Sequence, residues 1–261
     1  MADILKFTDT PIIDKSIEVY EYHEYDPITG TSLNNGGDVR ISIDSQDVFT
    51  HPSESYLIFE GRLTKADGTL YVNADEVALT NNAIMHLFSR IEYHLSNQLI
   101  ESLNYPGQAS TMLGLLKYPD DFSKAQGLNQ LWYKDTATTA AKADNNGFAA
   151  RHAYLIQSPT VKGTFFRISM KNIFGFCENY DKIVYGLKHS LTLVRNTDDD
   201  AIFRGATVGA GKVSLVKISW FIPHVNSADA EKFFIYKTIE SKVKVPVAYR
   251  TRQCDMLSVP E

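Results

Sequence analysis

The segment 81–133 constrains the fold more than any other part of the chain, because no earlier part of the chain has a comparable density of apolar residues. Residues 84–103 alternate between apolar and polar side chains, as in a half-buried strand, with an interruption around Asn97. This pattern predicts a hairpin with its turn near Asn97. Apolar residues at helical spacing follow and stop at Pro119. We therefore predict a hairpin that leads directly into a short helix, near residues 107–117.

Most of the remaining chain is predicted to form strands. The acidic, alternating residues 16–25 have the features of an edge strand, since their charges and Pro27 oppose pairing with unrelated strands. A turn at residues 65–69 predicts a hairpin with a return strand at 70–72. Further strands are predicted at 39–43, 55–64, 153–157, 163–170, 189–195, 201–204, 212–225 and 243–257. So many strands with regular turns predict an all-β fold, a single jelly-roll β-sandwich with short helices.

Two segments depart from this strand pattern. Residues 134–150 are small, polar and poorly periodic, so we expect a long surface loop, which in a compact domain is usually functional or mobile. Residues 230–240 are predicted to form a helix that begins after a Ser-Ala-Asp cap, with an apolar side formed by Phe233, Phe234, Tyr236 and Ile239.

Composition restricts the class of function. The chain has 261 residues, and its net charge of −5 argues against a dedicated nucleic-acid binder, so any such contact is expected to be non-specific. No apolar run approaches the ~20 residues of a membrane helix, and the N-terminus lacks the features of a signal peptide. Cys177 and Cys254 are the two cysteines and lie far apart. They predict reduced thiols in an intracellular protein that is not secreted.

We find no catalytic, cofactor-binding or metal-binding constellation in the sequence. Residues 206–213 (ATVGAGKV) partly match the motif of a phosphate-binding loop. However, Val213 occupies the position where Ser or Thr would hold Mg²⁺, and a strand rather than a helix is predicted to follow. We expect a flexible loop there. The seven histidines lack the spacing of a metal site and are interpreted as scattered structural residues: His23, His51, His86, His94, His152, His189 and His224.

Four further features have a plain structural interpretation. The triple aspartate at 198–200 lacks the spacing of a calcium loop and predicts a solvated turn. Cys177 lies among aromatic residues and predicts a buried, inert thiol. Trp132-Tyr133 beside Asp135 is a weak candidate for a carbohydrate-binding surface. Residues 232–252 carry six basic side chains and one acid, which suits nucleic acid or an acidic partner, but we favour a solvated edge.

Three longer sequence segments resemble segments of a known protein family. Residues 86–103 (HLFSRIEYHLSNQLIESL) resemble a strand pair of the major capsid proteins of the double jelly-roll lineage. Residues 166–196 (FRISMKNIFGFCENYDKIVYGLKHSLTLVRN) resemble their link between late strands of the first roll, and residues 217–225 (KISWFIPHV) its closing strand. Within the lineage, the chain is most similar to capsid proteins of Polinton (Maverick) elements and adintovirus-like viruses, which are often integrated in animal genomes.

The resemblance implies a structural, self-assembling capsid protein that is not an enzyme. In that family each subunit has two jelly rolls, and three subunits form a pseudo-hexagonal capsomer. Residues 1–228 resemble the first jelly-roll domain, and residues 229–261 resemble a linker helix and the start of a second roll. We therefore expect a truncated relative or a fragment. The implied location is the virion, assembled inside the host cell.

The resemblance also implies partners, while other functions stay open. The expected partner is the chain itself, as a homo-oligomer of three or more copies, with an intact double jelly-roll protein or other capsid components as further partners. The alternatives are a host-adopted capsid relative and a jelly-roll binding module that acts through protein–protein contacts. The tail, residues 243–261, has no obvious partner strand, so we expect it to fold back onto the first sheet or to pair with a neighbouring subunit.

Overall fold

The computed structural model of the chain describes residues 16–28, 33–34, 36–44, 48–156 and 164–257. The α-helices in these ranges are α1 (Ala83–His86), α2 (Pro106–Lys117), α3 (Asn146–Ile156), α4 (Gly175–Asn179) and α5 (Asp229–Glu240). The strands are β1 (Ile17–Tyr25), β2 (Asp38–Ile43), β3 (Phe49–Thr50), β4 (Tyr56–Lys65), β5 (Val77–Leu79), β6 (Phe88–Leu95), β7 (Gln98–Asn104), β8 (Thr164–Ser169), β9 (Val184–Tyr185), β10 (His189–Arg195), β11 (Ile202–Arg204) and β12 (Gly211–Ser227).

The larger sheet is built on β12, which has 17 residues. Residues 211–221 of β12 pair with β4, and residues 224–225 pair with β3. On its opposite side, residues 220–227 pair with β1. The strand order is β8-β4-β12-β3-β9, with β1 beside β12, and all of these pairs are antiparallel. A single long strand therefore holds three others in register.

The smaller sheet has the order β2-β10-β6-β7, and β5 and β11 form a separate pair. β6 and β7 form the predicted hairpin. Its turn residues Ser96 and Asn97 have φ values of 45° and 67°. A two-residue turn with positive φ at both positions matches the twist of the strands, and Asn tolerates this conformation well. The prediction of a turn near Asn97 is confirmed.

Apolar residues from both sheets meet in one core. Trp220 of β12 contacts Tyr93 of β6 edge-on, with ring centroids 5.9 Å apart, and Phe59 of β4 lies 5.8 Å from Phe88 of β6. All four side chains are at most 1% exposed. Strand residues alternate between this core and the outside, as a two-sheet sandwich requires. The predicted all-β sandwich with short helices is confirmed, and the expected helices near 107–117 and 230–240 are α2 and α5.

The predictions for residues 134–150 and 153–157 are wrong in part, because α3 occupies residues 146–156. Residue 157 lies outside the described residues. Phe148, Arg151 and His152 are buried on one side of α3. Arg151 donates from Nε to the Leu79 carbonyl at 2.8 Å and from an Nη atom to the Asp135 carboxylate at 2.6 Å. Polar residues therefore occupy buried positions of α3 where apolar residues would normally mark a helix, since Arg and His are rarely core residues. The sequence pattern for this reason does not predict the helix.

Three predicted strand segments are also corrected. Residues 84–86 are helical rather than extended, because Asn82 in a left-handed conformation (φ 60°) starts the short helix α1. Residues 70–72 form no strand, because the Val72 amide and carbonyl are both bonded to Asp75 in a local turn. The predicted turn before them does form, with Lys65 N donating to the Thr69 carbonyl at 2.8 Å. Residues 243–257 form no strand either.

A buried chain of hydrogen bonds joins the two sheets at His189, which is 1% exposed. Its Nε2 lies 2.8 Å from the Thr50 hydroxyl of β3, and its Nδ1 lies 2.7 Å from the Tyr93 hydroxyl of β6. The Thr50 hydroxyl donates to the Val184 carbonyl at 3.1 Å, so it accepts from Nε2–H, and Nδ1 accepts from Tyr93. Burial, and secondarily the neighbouring His224, lower the pKa of His189 from 6.5 to about 4.

We expect His189 to make the fold sensitive to acid. Between pH 6.5 and 4 the unfolded chain binds a proton that the native chain excludes, so this group lowers the free energy of unfolding as pH falls. The expected loss is about 3 kcal/mol across that window. Urea unfolding near each end of the window, on the wild type and on His189→Gln, measures it. The variant should lose less stability than the wild type, and equal losses would contradict the assignment.

Candidate assembly interface

The structure disperses the histidines. His23 and His224 stack with ring centroids 4.0 Å apart, at the junction of β1 and β12. His51 Nε2 lies 2.8 Å from Asp181 Oδ1, and His152 Nδ1 lies 2.8 Å from the Val77 carbonyl. Within the described ranges, no group of three or more His, Cys, Asp or Glu side chains is arranged to hold a metal ion. Each of these histidines contacts protein groups.

Other sequence candidates have structural partners as well. Asp198 accepts hydrogen bonds from Arg195 and from the Val213 amide, both at 2.8 Å, and so ties its turn to β10 and β12. β12 begins at Gly211, so a strand follows the glycine-rich loop. Cys177 is fully buried, and burial raises the pKa of its thiol well above the usual range. Trp132 is 2% exposed and offers no ring surface to a sugar.

The predicted basic segment at 232–252 divides into two parts. Its last residues belong to a segment that we call the strap, residues 249–257, which lies beside β7. Tyr249 donates its hydroxyl to the Ile100 carbonyl at 3.0 Å, and the Arg252 amide donates to Glu101 Oε1 at 2.7 Å. Farther along, Asp255 and Met256 line a cleft with Asn104 and Tyr105. The strap thus folds back onto its own chain, one of the two outcomes that the sequence allowed.

Glu101 is the residue that holds the strap. It is 2% exposed, and its Oε2 accepts from the Phe176 amide at 3.0 Å. Its Oε1 accepts from the Gly175 amide at 3.1 Å as well as from the strap. The carboxylate therefore binds the first amides of α4 and one strap amide together. Sequence reasoning missed this residue, although an acid that shares a strand face with Leu103, which is fully buried, was a usable signal.

Gly175 lets the strap approach α4. A Cβ added at this position would overlap the Arg250 carbonyl oxygen. The strap is fixed from both sides, since the Arg250 amide donates to Asn179 Oδ1 at 3.0 Å and the Arg252 guanidinium binds the Glu178 carboxylate. Only glycine fits at such a close backbone approach. The slot between β7 and α4 is therefore shaped for this segment.

Residues 229–248, which include the rest of the basic segment, we call the arm. It joins the end of β12 to the strap and is anchored at both ends. None of the α5 residues is buried: Phe233 is 71% exposed and Phe234 66%. Tyr236 makes the main ring contact, 5.4 Å from the Tyr185 ring. After α5, Val243 and Val245 are exposed as well. The predicted apolar side of the helix exists, but of its four residues only Tyr236 has a ring contact with the described part of the chain, and the other three are exposed.

Helix α2 also leaves apolar side chains outside. It packs through small residues, because a Cβ at Gly107 would meet His86 and one at Gly114 would meet Trp132. Its large residues point away from the core: Met112, Leu113, Leu115 and Leu116 are all exposed, the last by 88%. Monomeric soluble proteins rarely present several such patches, and contiguous ones mark interaction sites. The arm and α2 are thus candidate assembly surfaces.

The two-sheet sandwich defines the class of protein as an all-β jelly-roll domain, in which the arm and α2 are candidate interaction surfaces. A family model described as double jelly roll-like domain matches residues 77–260, and the chain belongs to this family. The resemblance to the double jelly-roll lineage is thereby confirmed. A comparison with curated protein sequences gave no match. None of the helices in the described part of the chain is long and apolar enough to cross a bilayer.

Solved viral structures share the fold. A chain of the Sputnik virophage, solved by cryo-electron microscopy at 3.5 Å, matches with a TM-score of 0.57 and 12% identity, over 85% of this chain and 50% of that chain. A chain of the PBCV-1 virus capsid matches with a TM-score of 0.51 and 12% identity, over 86% of this chain and 46% of that chain. The present chain thus spans about half the length of the viral chains that it matches.

We expect Gly175→Ala to release the strap without unfolding the sandwich. The added methyl group overlaps the Arg250 carbonyl oxygen, whereas a Cβ added at Gly209 would meet no atom within 4 Å, so Gly209→Ala serves as the matched control. Limited trypsin digestion followed by mass spectrometry should show faster cleavage after Arg250 and Arg252 in the Gly175 variant alone. Identical digestion of both variants would mean that the strap does not cross Gly175.

We expect Glu101→Gln to weaken the fold through the strap and α4. The amide keeps one acceptor oxygen and loses the negative charge, so buried N–H groups that now share the carboxylate lose a partner. The expected cost is about 1–3 kcal/mol of unfolding free energy. Glu92→Gln, on the neighbouring strand β6, is the control and should change stability by less than about 0.5 kcal/mol. Urea unfolding of the two variants measures the difference, and equal effects would refute the role of Glu101.

Proposed function

We propose that this chain is a building subunit of a viral-type capsid and acts by self-association rather than by catalysis. The observation that carries the proposal is the uncovered arm, in which α5 has no buried residue and two phenylalanines are at least 66% exposed. An isolated monomer gains nothing from apolar faces in water, whereas shell subunits bury such faces against their neighbours.

The fold likeness supports the same conclusion by analogy. Two of the solved structures that share the fold are a virophage and a virus capsid. Because one fold serves many functions, the analogy needs the exposed surfaces as its second support. We infer a homo-oligomer of three or more copies, located in the virion after assembly inside the host cell. We also infer an origin among Polinton (Maverick) elements, as an endogenous viral element.

The inferred organisation follows from the same likeness. Residues 1–228 are proposed as one jelly-roll domain, and residues 229–261 as a linker with the start of a second roll. An intact double jelly-roll protein is then a further proposed partner, because it offers the same contact surfaces as another copy of this chain. A structural subunit of this kind requires no bound cofactor.

We expect the purified chain to form oligomers of three or more copies, detected by light scattering over a concentration series and by negative-stain images. Phe233→Ser combined with Phe234→Ser should raise the dissociation constant at least about tenfold, because burial of each ring stabilises an interface by roughly 1.5–3 kcal/mol. The matched control is Leu70→Ser with Val72→Ser, which changes two residues that are 57% and 58% exposed outside the arm.

Two results would count against the proposal. A wild-type chain that stays monomeric at every concentration would favour a binding module whose partner is another protein. Equal weakening of association by the double phenylalanine variant and by its control would show that association is a general effect of apolar exposure. In the first case, the next step is to test binding to an intact double jelly-roll capsid protein.

A further inference from the structure

Among the described residues, strand β1 leaves one edge of the larger sheet open. It pairs with β12, and no other strand in the described ranges pairs with its second edge. Both faces of β1 are also accessible. Val19 is 40% exposed on one face, and Tyr20 and Tyr22 are 40% and 43% exposed on the other. An open edge offers unpaired N–H and C=O groups to an incoming strand.

The open strand is acidic, which selects its partner. Residues 16–28 contain four acids and no Lys or Arg. Glu24 is paired with Lys217 at 2.5 Å, and Asp26 accepts from the Ser219 hydroxyl at 2.5 Å. The other two, Glu18 and Glu21, are exposed. Like charges on adjacent strands repel, so a strand that pairs with β1 should carry positive charge.

The arm contains a segment with this chemistry. Residues 243–247 read Val-Lys-Val-Pro-Val, which alternates as a strand does, yet they belong to no strand in the structure. Val243, Val245 and Val247 are 62%, 63% and 47% exposed. Lys242 and Lys244 supply positive charge, and residues 241–248 include no acid. Pro246 lacks an N–H group, which limits pairing to a short ladder at a sheet edge.

We propose that β1 of one copy binds residues 243–247 of a second copy as an added strand. This inference rests on the proposed self-assembly and names the contact that drives it. Successive side chains of a strand point to opposite faces, so the three valines share one face and Lys244 lies on the other. From Val19 onward β1 alternates regularly, so Glu21 shares the face of Val19, and Lys244 meets it when the three valines lie on the face of Tyr20 and Tyr22.

The β1 strand of a second copy is a better partner for residues 243–247 than the β1 strand of the same chain. The strap that follows the arm is tied to β7, which belongs to the smaller sheet, whereas β1 belongs to the larger one. No backbone hydrogen bond of the described residues joins 243–247 to β1 in the same chain. Donor segment and acceptor edge are different surfaces, so their pairing is heterologous and closes into a ring when the rotation permits.

Charge reversal tests the contact. The arm variant is Lys242→Glu with Lys244→Glu, and the edge variant is Glu18→Lys with Glu21→Lys. Each alone places like charges in contact and should weaken self-association at least about tenfold, measured by sedimentation equilibrium. A 1:1 mixture should associate as tightly as the wild type, because the acidic arm then meets a basic edge and the basic arm meets an acidic edge.

Controls separate this contact from general charge effects and from self-assembly itself. Lys124→Glu with Lys212→Glu reverses two exposed lysines outside both surfaces and should leave association unchanged. Circular dichroism checks that each variant is folded. If the edge variant does not fold, the contact is tested with the arm variant and with a second variant of the same segment, Val243→Ser with Val245→Ser, and both should weaken self-association. If the wild type forms oligomers and the arm and edge variants associate just as tightly, this inference is wrong and the proposed function still stands. A monomeric wild type would overturn both.

Discussion

The burial of Trp220 and its neighbours between the two sheets is the constraint on which the rest of this molecule depends. Trp220 belongs to β12, the strand that pairs with β1 on one side and with β3 and β4 on the other. The same ring contacts Tyr93 and His189 in the smaller sheet. Removing apolar area from water stabilises this packing, and it fixes the register of every strand that β12 contacts.

Strand elements with one buried face were predictable from the sequence. In β10 every second residue is buried, and the amino-acid sequence shows the same period of two. The buried residues are His189, Leu191, Leu193 and Arg195. The hairpin of β6 and β7 was predictable because its turn is local and Asn97 adopts the required positive φ. In both cases the pattern depends on neighbours in sequence, which is the information that a single sequence carries.

Other elements depend on distant contacts and were not predictable. α3 buries Arg151 and His152 against β5, and their polar side chains conceal the helix. The strap depends on a bond between residues 101 and 252, which no local pattern indicates. For the candidate surfaces, the sequence predicted the apolar side of α5 but not that it would stay uncovered. Exposure is a property of the complete fold, since it depends on what the other elements leave unoccupied.

The distant position of the strap has a consequence for the order of folding. The chain is synthesised from its N-terminus, so β7 and α4 emerge from the ribosome well before residues 249–257 that bind between them. Contacts with such large sequence separation close late, because the loop entropy must be overcome first. The arm is anchored at its second end only when the strap has bound. The proposed assembly through the arm would then follow completion of the sandwich, so that unfinished chains would lack an arm that is fixed at both ends.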